Sequence, residues 1–272
     1  MAILGGTFMM KSEKTIHDYW QERASNLIYY QGEYYYTITS LPFYIKRREE
    51  MLVLLKKEMQ SILCNIMEPN ILDFGCGDGQ YSILIKKQHP QCKVYGCDLS
   101  ANMVKLACSN ANHEDIEIQF KVSDSKIPFN EMFDLIFVNA VLAHIDESLL
   151  DDIVVDFATH LRSGGAVIVF EQTASIPRYG DTWNRRTEKF YEDLFKRNGF
   201  ELTKKILISH PCYNWWERRL RKYLFRHRTN PNKSALYLYL CEMLMKLSYR
   251  YDKRQKCASE GNSFFVFKNN NN

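Results

Sequence analysis

From residue 70 onward, short apolar runs alternate with stretches that have helical periodicity. Such alternation predicts a parallel, doubly wound α/β sheet with helices on both faces. Most of the runs are almost wholly apolar, which is typical of strands that are covered on both sides. The predicted strands in this part of the chain lie at 70–74, 93–98, 116–124, 133–140 and 166–172.

Helices are predicted between these strands and on both sides of them. Apolar residues at helical spacing predict a helix over 46–67, before the first strand. Ser100 is a suitable helix N-cap, and Pro90 requires the helix before it to end. The remaining predictions are helices over 79–88, 100–109, 146–161 and 184–198, and two late strands over 200–209 and 262–268.

The chain shows neither a linker nor an internal repeat, so we predict one domain with additions. A helical and aromatic N-terminal cap is expected over 1–67, and the α/β domain over 68–268. A basic helical insertion interrupts that domain at about 213–256, before the last strand. The tail, 269–272, is expected to be disordered.

Composition indicates an ordinary globular protein. Hydrophobic residues make up 46% of the chain and charged residues 25%, and the net charge of +4 is too small to indicate nucleic-acid binding. The eight cysteines include no CxxC pair, so no metal or redox site is predicted. No apolar run reaches the roughly 18–20 residues of a membrane span, and the start lacks the basic n-region of a signal peptide. We therefore expect a cytoplasmic protein.

Three glycines follow the first predicted strand in the order Gly-x-Gly-x-Gly, at Gly75, Gly77 and Gly79. Ligands of open α/β sheets bind beyond the carboxyl ends of the strands, where a glycine turn lets backbone N–H groups approach them. The spacing differs from the dinucleotide fingerprint G-x-G-x-x-G, and no P-loop lysine follows. Taken alone, a glycine cluster is also compatible with any tight turn between a strand and a helix.

Acidic residues at the ends of the next two strands narrow the choice of ligand. Asp98 ends the second strand, and its carboxylate can accept short, charge-assisted hydrogen bonds from both hydroxyls of a ribose. Asp124 ends the third strand, where a carboxylate can accept a hydrogen bond from an exocyclic amine such as adenine N6. With the glycine turn, these acids indicate a ligand that contains a nucleoside.

Residues 68–175 resemble, in order and spacing, the successive motifs of the class I S-adenosylmethionine-dependent methyltransferases of type 11/12. The motifs that carry the resemblance are LDFGCGDG, VYGCDLS, VSDSKIPF, FDLIFVNAVLAHI and LRSGGAVIVFEQ. The resemblance implies S-adenosylmethionine as the cofactor and S-adenosylhomocysteine as the product. It also implies a Rossmann-like, seven-stranded sheet in the order 3-2-1-4-5-7-6, with strand 7 antiparallel.

The resemblance further implies which residues bind the cofactor. The turn from Gly75 to Gly79 would face the methionine part, Asp73 its amino group and Asp98 the ribose. Leu99 and Met103 would pack on the adenine. The full implied set is Asp73, Gly75, Cys76, Gly77, Gly79, Asp98, Leu99, Met103, Asp124, Ser125 and Asn139.

Methyl transfer to a hydroxyl needs a positioned acceptor, and a general base helps because the hydroxyl must lose its proton. His144 and Glu171 follow the fourth and fifth strands and are the candidate catalytic residues. Packing or contact with the substrate is the alternative role for each. By the resemblance, Asn139 would line the methionine and sulfonium region.

The acceptor side is less well defined by the sequence. The aromatic stretch 20–36, which includes Tyr35, is a candidate lid, with ordinary packing as the alternative. The candidates for binding a phosphate or carboxylate, or else solvated helix ends, are Arg178, Tyr179, Arg185 and Arg186. This region is loosely similar to bacterial methyltransferases that act on sugars and surface polysaccharides.

Residues 213–228 combine basic and aromatic side chains at helical spacing. A basic amphipathic helix can contact an anionic membrane, and here this would be a peripheral contact at the inner membrane face. The same charges would suit a phosphorylated substrate or RNA. A packed helix with a solvated charged face is the remaining interpretation.

The function predicted from these observations is methyl transfer to an oxygen of a small acceptor, such as a sugar, a nucleotide-linked sugar or a glycan end in polysaccharide biosynthesis. Two alternatives remain open: N- or C-methylation of a small metabolite or quinone precursor, and a non-catalytic partner subunit that binds the cofactor. RNA methylation is disfavoured, because the fourth strand ends in VNAVLAH and not in a DPPY-like or NPPY-like signature. The sequence does not predict an oligomeric state.

Overall fold

A computed structural model of the protein describes residues 13–24, 28–30, 33–35, 41–224, 234–252 and 260–270. The helices are α1 (Glu13–Arg23), α2 (Leu41–Leu63), α3 (Gln80–Gln88), α4 (Ala101–His113), α5 (Glu147–His160), α6 (Glu188–Arg197), α7 (Pro211–Leu224) and α8 (Ala235–Asp252), with a 3-10 turn at Leu142–His144. The strands are β1 (Ile28–Tyr30), β2 (Glu33–Tyr35), β3 (Asn70–Phe74), β4 (Lys93–Asp98), β5 (Gln119–Val122), β6 (Phe133–Asn139), β7 (Leu161–Ala174), β8 (Arg178–Tyr179), β9 (Asn184–Arg185), β10 (Phe200–Ile208) and β11 (Glu260–Asn269).

Seven of these strands form one sheet in the order β10-β11-β7-β6-β3-β4-β5. The strands from β3 to β7 are parallel to their neighbours, and β11 is antiparallel to both β7 and β10. Numbered along the chain within the sheet, this is the order 3-2-1-4-5-7-6 with strand 7 antiparallel. The predicted α/β, Rossmann-like fold is therefore confirmed.

Alternate residues of β7 belong to two separate hydrophobic clusters, as expected of a strand that is covered on both faces. Val167 packs in a cluster with Leu194 of α6, and Ile168 packs in the other cluster with Met51 of α2. Burial of a side chain of this size stabilises the fold by about 1.5–3 kcal/mol. The two clusters hold the sheet between its helices, so that the strand ends are presented along one edge.

Helix α2 is a layer of the core and not only a cap. It begins at Leu41, before the predicted start at 46, and ends at Leu63. Its residues Met51 and Leu55 are buried in the same cluster as Ile85 of α3. The predicted division between 67 and 68 therefore does not coincide with a break in packing, because the apolar face of the helix lies on the sheet itself.

The helix predicted over 184–198 begins later, at Glu188. Thr187 is its N-cap, since the Thr187 hydroxyl accepts a hydrogen bond from the Phe190 amide at 3.0 Å. Asn184 and Arg185 instead form β9, which pairs with β8 in a short antiparallel hairpin. This hairpin is important for the site, because it returns the chain toward the end of β7.

Helices α7 and α8 lie between β10 and β11, where the insertion is predicted, and residues 225–233 and 253–259 lie outside the described residues. Strand β11 continues to Asn269, which pairs with Phe200, so the predicted disordered tail begins inside the sheet. Residues 271–272 are not among those described. No helix in the described part of the chain combines the length and the hydropathy that crossing a bilayer requires.

Candidate active site

The glycine turn after β3 has a backbone conformation that side chains rarely allow. Gly75, Gly77 and Gly79 have φ values of 75°, 54° and 77°. A Cβ atom at Gly75 would lie only 2.3 Å from Cγ2 of Val141. The turn therefore brings bare backbone close to the loop that follows β6.

Hydrogen bonds fasten this turn to the end of β4. The carbonyl oxygen of Cys97 accepts from the amides of Gly75, at 2.7 Å, and Cys76, at 2.9 Å. The Gly77 amide donates to Oδ2 of Asp98 at 2.9 Å. The ends of β3 and β4 thus form one rim, with the Asp98 carboxylate at its centre.

The surroundings of Asp98 connect this rim to α4. Its Oδ1 accepts from the Ser100 amide at 2.9 Å, and the Ser100 hydroxyl caps α4 by accepting from the Met103 amide at 3.2 Å. Burial raises the pKa of Asp98, while the two backbone N–H donors oppose the shift because they favour the ionised form. Leu99 is half-buried and Met103 is buried beside the carboxylate, where a flat apolar ligand group could pack.

Two further carboxylates flank the glycine turn. Asp73, at the end of β3, accepts from the Ser82 hydroxyl at 2.6 Å. Burial raises the pKa of Asp73 to about 7, and the charge of Asp98 adds to this shift. Burial also raises the pKa of Asp78 to about 7, against the opposing charge of Arg48. A positively charged ligand group would favour the ionised forms, so the rim suits a cation.

The loop after β5 lies beside the same rim, because the Ser123 amide donates to the Asp98 carbonyl at 2.9 Å. The Ser123 hydroxyl donates to the carbonyl of Lys126 and closes the loop. Within it, Asp124 is exposed and Ser125 has a φ of 80°. Their roles in adenine binding stay predictions, although the loop is in the expected place.

Two buried side chains hold the backbone of the 3-10 turn after β6. Oε1 of Glu171 accepts from the Leu142 amide at 2.6 Å. The guanidinium of Arg186 donates to the carbonyls of Leu142, at 2.7 Å, and Ile145, at 2.9 Å. The turn that faces the glycines is therefore set from β7 and from the chain just past β9.

Glu171 and Arg186, which hold this turn, are each only 1% exposed. The sequence predicts that Arg186 binds the acceptor, but its guanidinium is occupied by carbonyls of the turn. Burial raises the pKa of Glu171 to about 7, opposed by the backbone amides of the turn and by Arg186. Both side chains hold the turn, and the catalytic role of Glu171 and the acceptor-binding role of Arg186 stay predictions.

His144 ends the turn and is half-buried. Its Nδ1 is hydrogen bonded to the carbonyl of Thr182, and its ring lies edge-on to Trp20, with ring centroids 5.0 Å apart. A carbonyl oxygen can only accept, so Nδ1 carries the proton of the neutral ring and Nε2 is the basic nitrogen. This arrangement is compatible with a general base. Asn139 is half-buried at the end of β6, and its role stays a prediction.

Helix α1 also contributes to this edge of the sheet. Oε1 of Gln21 accepts from the Ser100 hydroxyl at 3.1 Å and from the Asn102 amide at 3.2 Å. With Trp20 against His144, α1 therefore contacts the cofactor side and the acceptor side together. Of the aromatic stretch predicted as a lid, Tyr35 lies in β2, its side chain is outside what the structure describes, and its role stays a prediction.

Helix α2 supplies two arginines that are not among the predicted site residues. Arg48 donates to Oε1 of Gln80 at 2.7 Å, next to the glycine turn. Arg47 donates to Oδ1 of Asn262 in β11 at 3.1 Å, across 215 positions of sequence. Hydrophobic periodicity predicts the helix but contains no signal for these contacts.

The β8–β9 hairpin separates the predicted anion-binding residues. Arg178 and Tyr179 are exposed on β8. Arg185, opposite Arg178, donates from Nη2 to Oε1 of Gln172 at 2.8 Å. Among the four predicted anion-binding residues, Arg185 is the one that is half-buried and has a side-chain hydrogen bond to the end of β7.

The first part of the predicted basic helix is α7. This helix carries basic and aromatic side chains along its length, among them Arg218, Arg219, Trp215 and Trp216, and both tryptophans are exposed. Residues 225–228 lie outside the described residues. Contact of this helix with a membrane or a charged substrate stays a prediction. Among the described residues, no group of three or more His, Cys, Asp or Glu side chains could hold a metal ion.

Residues 71–165 match the family model described as Methyltransferase domain. A release factor glutamine methyltransferase of Streptococcus pneumoniae is 31% identical over 93 residues, which are 33% of this chain and 33% of that protein. An uncharacterized methyltransferase of Anoxybacillus flavithermus is 34% identical over 127 residues, 44% of this chain and 55% of that protein. The chain thus spans from a third to about half of the length of these curated relatives.

Solved structures show the same fold. The O-methyltransferase from a trans-AT PKS multienzyme of Brevibacillus brevis, solved with S-adenosylhomocysteine, matches with a TM-score of 0.58 and 17% identity over 85% of this chain and 78% of that chain. The [4+2]-cyclase SpnF matches with a TM-score of 0.57 and 16% identity over 79% and 80%. Because one of these proteins is described as a cyclase, the fold alone does not determine the reaction.

Residues 71–165 therefore match a methyltransferase domain, and the sheet around them has the strand order of the class I, S-adenosylmethionine-dependent methyltransferase fold. S-adenosylmethionine is the cofactor of this class, as predicted. These matches give no support for the predicted similarity to methyltransferases that act on sugars and surface polysaccharides.

Proposed function

We propose that the protein transfers the methyl group of S-adenosylmethionine to an oxygen of a small acceptor. The observation that supports this most directly is the rim between β3 and β4. There the Asp98 carboxylate lies beside a turn whose backbone is bare at Gly75 and Gly77. A ligand with a ribose and a positive charge matches both features.

The residues of the rim fit this cofactor. When bound, S-adenosylmethionine supplies a methyl group on a positively charged sulfonium. Asp98 would accept hydrogen bonds from its ribose hydroxyls, beside Leu99 and Met103, which would contact the adenine. Asp73 and Asp78 would be drawn to their ionised forms by the cofactor's ammonium and sulfonium charges, which offsets the cost of burying them.

On the acceptor side, we assign removal of the hydroxyl proton to His144. Its contact with the Thr182 carbonyl leaves Nε2 as the basic nitrogen, and Trp20 constrains the plane of the ring. Glu171 and Arg186 hold the turn on which this histidine lies. A positioned general base typically accelerates such a step by about 10²–10⁴-fold.

The nature of the acceptor separates the remaining alternatives. The proposal that the acceptor is a sugar, a nucleotide-linked sugar or a glycan end rests on the sequence resemblance alone. A neutral amine can attack a sulfonium without a base, so N-methylation would not depend on His144. A non-catalytic partner subunit would bind the cofactor and release no product.

The test is the release of S-adenosylhomocysteine with panels of hydroxyl and amine acceptors, using wild-type protein and His144→Gln. For a hydroxyl acceptor we expect the variant to lose about 10²–10⁴-fold in turnover and to keep its cofactor affinity. His113→Gln, an exposed histidine on α4, is the matched control. Turnover of amines alone would favour the N-methyl alternative, and cofactor binding without any turnover would favour the non-catalytic one.

A further inference from the structure

Helix α8 exposes a row of large apolar side chains, from 43% exposed at Met243 to 74% at Leu247. At about 3.6 residues per turn, they lie within about 120° around the helix and extend for about 22 Å along it. The residues of this apolar stripe are Leu236, Tyr239, Met243, Leu247 and Tyr251. The opposite side of α8, which includes Cys241 and Met245, is buried. The stripe is therefore a second apolar face, which the described residues leave uncovered.

Helix α7, which packs against α8, exposes aromatic and basic side chains together. The Arg219 guanidinium lies 3.3 Å from the ring centroid of Trp215, and Trp216 is exposed next to them in sequence. Arg218 and Lys222 are also exposed, and their spacing places them on the same face of the helix as Trp215. Tryptophan beside basic groups is typical of surfaces that contact the headgroup region of a membrane.

The positive charge of the protein is concentrated in the insertion that contains these two helices. Residues 211–259 include twelve Lys and Arg but only three Asp and Glu, a net charge of +9. The rest of the chain has 24 Lys and Arg and 29 Asp and Glu, a net charge of −5. Such an asymmetry within one chain indicates a partner that is itself anionic.

Two of the three acidic residues of the insertion are engaged between its helices. Asp252 is buried and accepts hydrogen bonds from the Cys212 amide, at 2.7 Å, and the Tyr213 amide, at 3.1 Å. Glu217 accepts a hydrogen bond from the hydroxyl of the buried Tyr237. These carboxylates therefore hold α7 against α8, and the exposed surface of α7 is predominantly basic and aromatic.

Three kinds of partner would cover such a surface, and the observations favour one of them. A second copy of the chain would bring two insertions of net charge +9 together, which their repulsion opposes. A nucleic acid would neutralise the basic groups and stack on aromatic rings, but its contacts would leave Leu236, Met243 and Leu247 without an apolar partner. An anionic bilayer matches both features, since its headgroups attract cations and its acyl boundary accepts apolar side chains.

We propose that α7 and α8 form a peripheral docking surface for an anionic lipid bilayer. The apolar stripe of α8 enters the boundary between headgroups and acyl chains, and the basic side chains of α7 contact the headgroups. This inference goes beyond the methyl-transfer reaction and does not depend on it. It assigns a partner to a part of the chain that the proposed active site does not use.

The test is co-sedimentation of the full-length protein with vesicles of two compositions: phosphatidylcholine alone, and equal parts of phosphatidylcholine and phosphatidylglycerol. We expect wild-type protein to sediment with the anionic vesicles at low salt and to bind the neutral vesicles about tenfold more weakly or less. Added salt should release the protein from the anionic vesicles, because it screens the attraction between the basic groups and the headgroups.

Leu236→Ser combined with Leu247→Ser tests the apolar stripe. We expect binding to the anionic vesicles to fall about tenfold or more, because these two apolar groups no longer enter the bilayer. The matched control is Met67→Ser combined with Val155→Ser, since both of these residues are exposed and lie outside the insertion. All four side chains are exposed, so both proteins should unfold close to the wild-type temperature. Leu247→Phe keeps an apolar group and should bind like the wild type.

Arg218→Gln combined with Lys222→Gln tests the basic face of α7. At low salt we expect binding to the anionic vesicles to fall about tenfold or more, and its dependence on salt to become weaker. The matched control, Lys105→Gln combined with Lys196→Gln, removes the same charge from exposed positions on α4 and α6 and should bind like the wild type.

The proposal is overturned if wild-type protein does not bind the anionic vesicles at low salt, or if a control pair weakens binding as much as the matching pair in the insertion. It is also overturned if sedimentation velocity shows a dimer that the two leucine substitutions dissociate, since the stripe would then join two copies of the chain. Binding of an RNA oligonucleotide without any binding of vesicles would assign the basic groups to nucleic acid instead.

Discussion

The two halves of the cleft are built in different ways. The proposed cofactor half, at the ends of β3, β4 and β5, comes from one continuous segment between Asp73 and Ser125 and relies on backbone groups and carboxylates. The proposed acceptor half, at the ends of β6 and β7 and the start of β11, gathers side chains from α1, α2 and β9. The cofactor half is therefore encoded locally, whereas the acceptor half exists only when distant segments pack together.

The difference also concerns what holds each half in place. In the cofactor half the rim closes through main-chain bonds, such as those from Gly75 and Cys76 to the Cys97 carbonyl. In the acceptor half the turn before His144 depends on the side chains of Glu171 and Arg186. A substitution in the first half should act on cofactor binding directly, and one in the second half should act through a displaced turn.

The largest expected effect is that of Gly75→Ala, which tests whether the cofactor half depends on bare backbone. A left-handed conformation costs a non-glycine residue about 1–2 kcal/mol, and overpacking adds about 1–3 kcal/mol, so we expect the variant to lose about 2–5 kcal/mol of folding stability and, because the turn is displaced, to bind the cofactor more weakly. Gly164→Ala is the control, since Gly164 also has a positive φ, of 77°, but a Cβ atom there would meet no heavy atom within 4 Å. Both variants should unfold at a lower temperature than the wild type, and calorimetry should show weaker cofactor binding only in Gly75→Ala. Equal cofactor affinities of the two variants would refute the steric argument.

The next effect concerns the acceptor half and depends on pH. Burial raises the pKa of Glu171 from 4.5 to about 7, so between these values the folded protein holds a proton that the unfolded chain has lost. The stability from this group is therefore greatest at low pH and falls as the pH rises toward 7, by about 3 kcal/mol in all.

Glu171→Gln should remove this titration and flatten the slope of unfolding free energy against pH by about 1.4 kcal/mol per pH unit near pH 6. Urea unfolding of both proteins at several pH values measures the slopes. Asp152→Asn, an exposed carboxylate on α5, should keep the wild-type slope. Parallel curves for wild type and Glu171→Gln would show that the carboxylate titrates normally.

Asp98→Ala sharpens the comparison from the cofactor side. Hydrogen bonds to a charged group contribute about 1.5–3 kcal/mol, so loss of the ribose contacts should weaken cofactor binding about tenfold or more. The protein should remain folded, although the amides of Gly77 and Ser100 lose an acceptor. Calorimetry against Asp152→Ala measures the effect, and an unchanged affinity would remove Asp98 from the site.

The smallest expected effect is that of Gln21→Ala, which tests whether α1 couples the two halves. The variant loses the hydrogen bonds from the Ser100 hydroxyl and the Asn102 amide, each worth about 0.5–1.5 kcal/mol, so affinity for S-adenosylhomocysteine should fall a few-fold. Glu22→Ala removes the neighbouring, exposed side chain of α1 and serves as the control. A change no larger than that of the control would mean that α1 does not support the cofactor half.

The cofactor half and the sheet were largely predictable because their signals are local. Period-2 and period-3.6 patterns are properties of ten to fifteen neighbouring residues, and they place β3, β4 and β6 almost to the residue. The glycine turn and Asp98 follow strand ends directly, so naming the strands also places these groups at one edge. Helix starts are less accurate: α6 begins at Glu188 because of its Thr187 cap, after a hairpin that has no periodic signal of its own.

By itself, the sequence determined the class of fold, the order of the strands and the position of the glycine turn and Asp98 at one edge of the sheet, since these depend on short-range periodicity, on residues next to strand ends and on the family motifs that they form. Only the tertiary structure decided that α2 is a core layer, that Arg186 supports a turn, and that Arg47 contacts Asn262. The physical reason is the range of the contacts. Arg47 and Asn262 are 215 positions apart, and a side chain's charge reveals neither its burial nor its partner until the chain has folded.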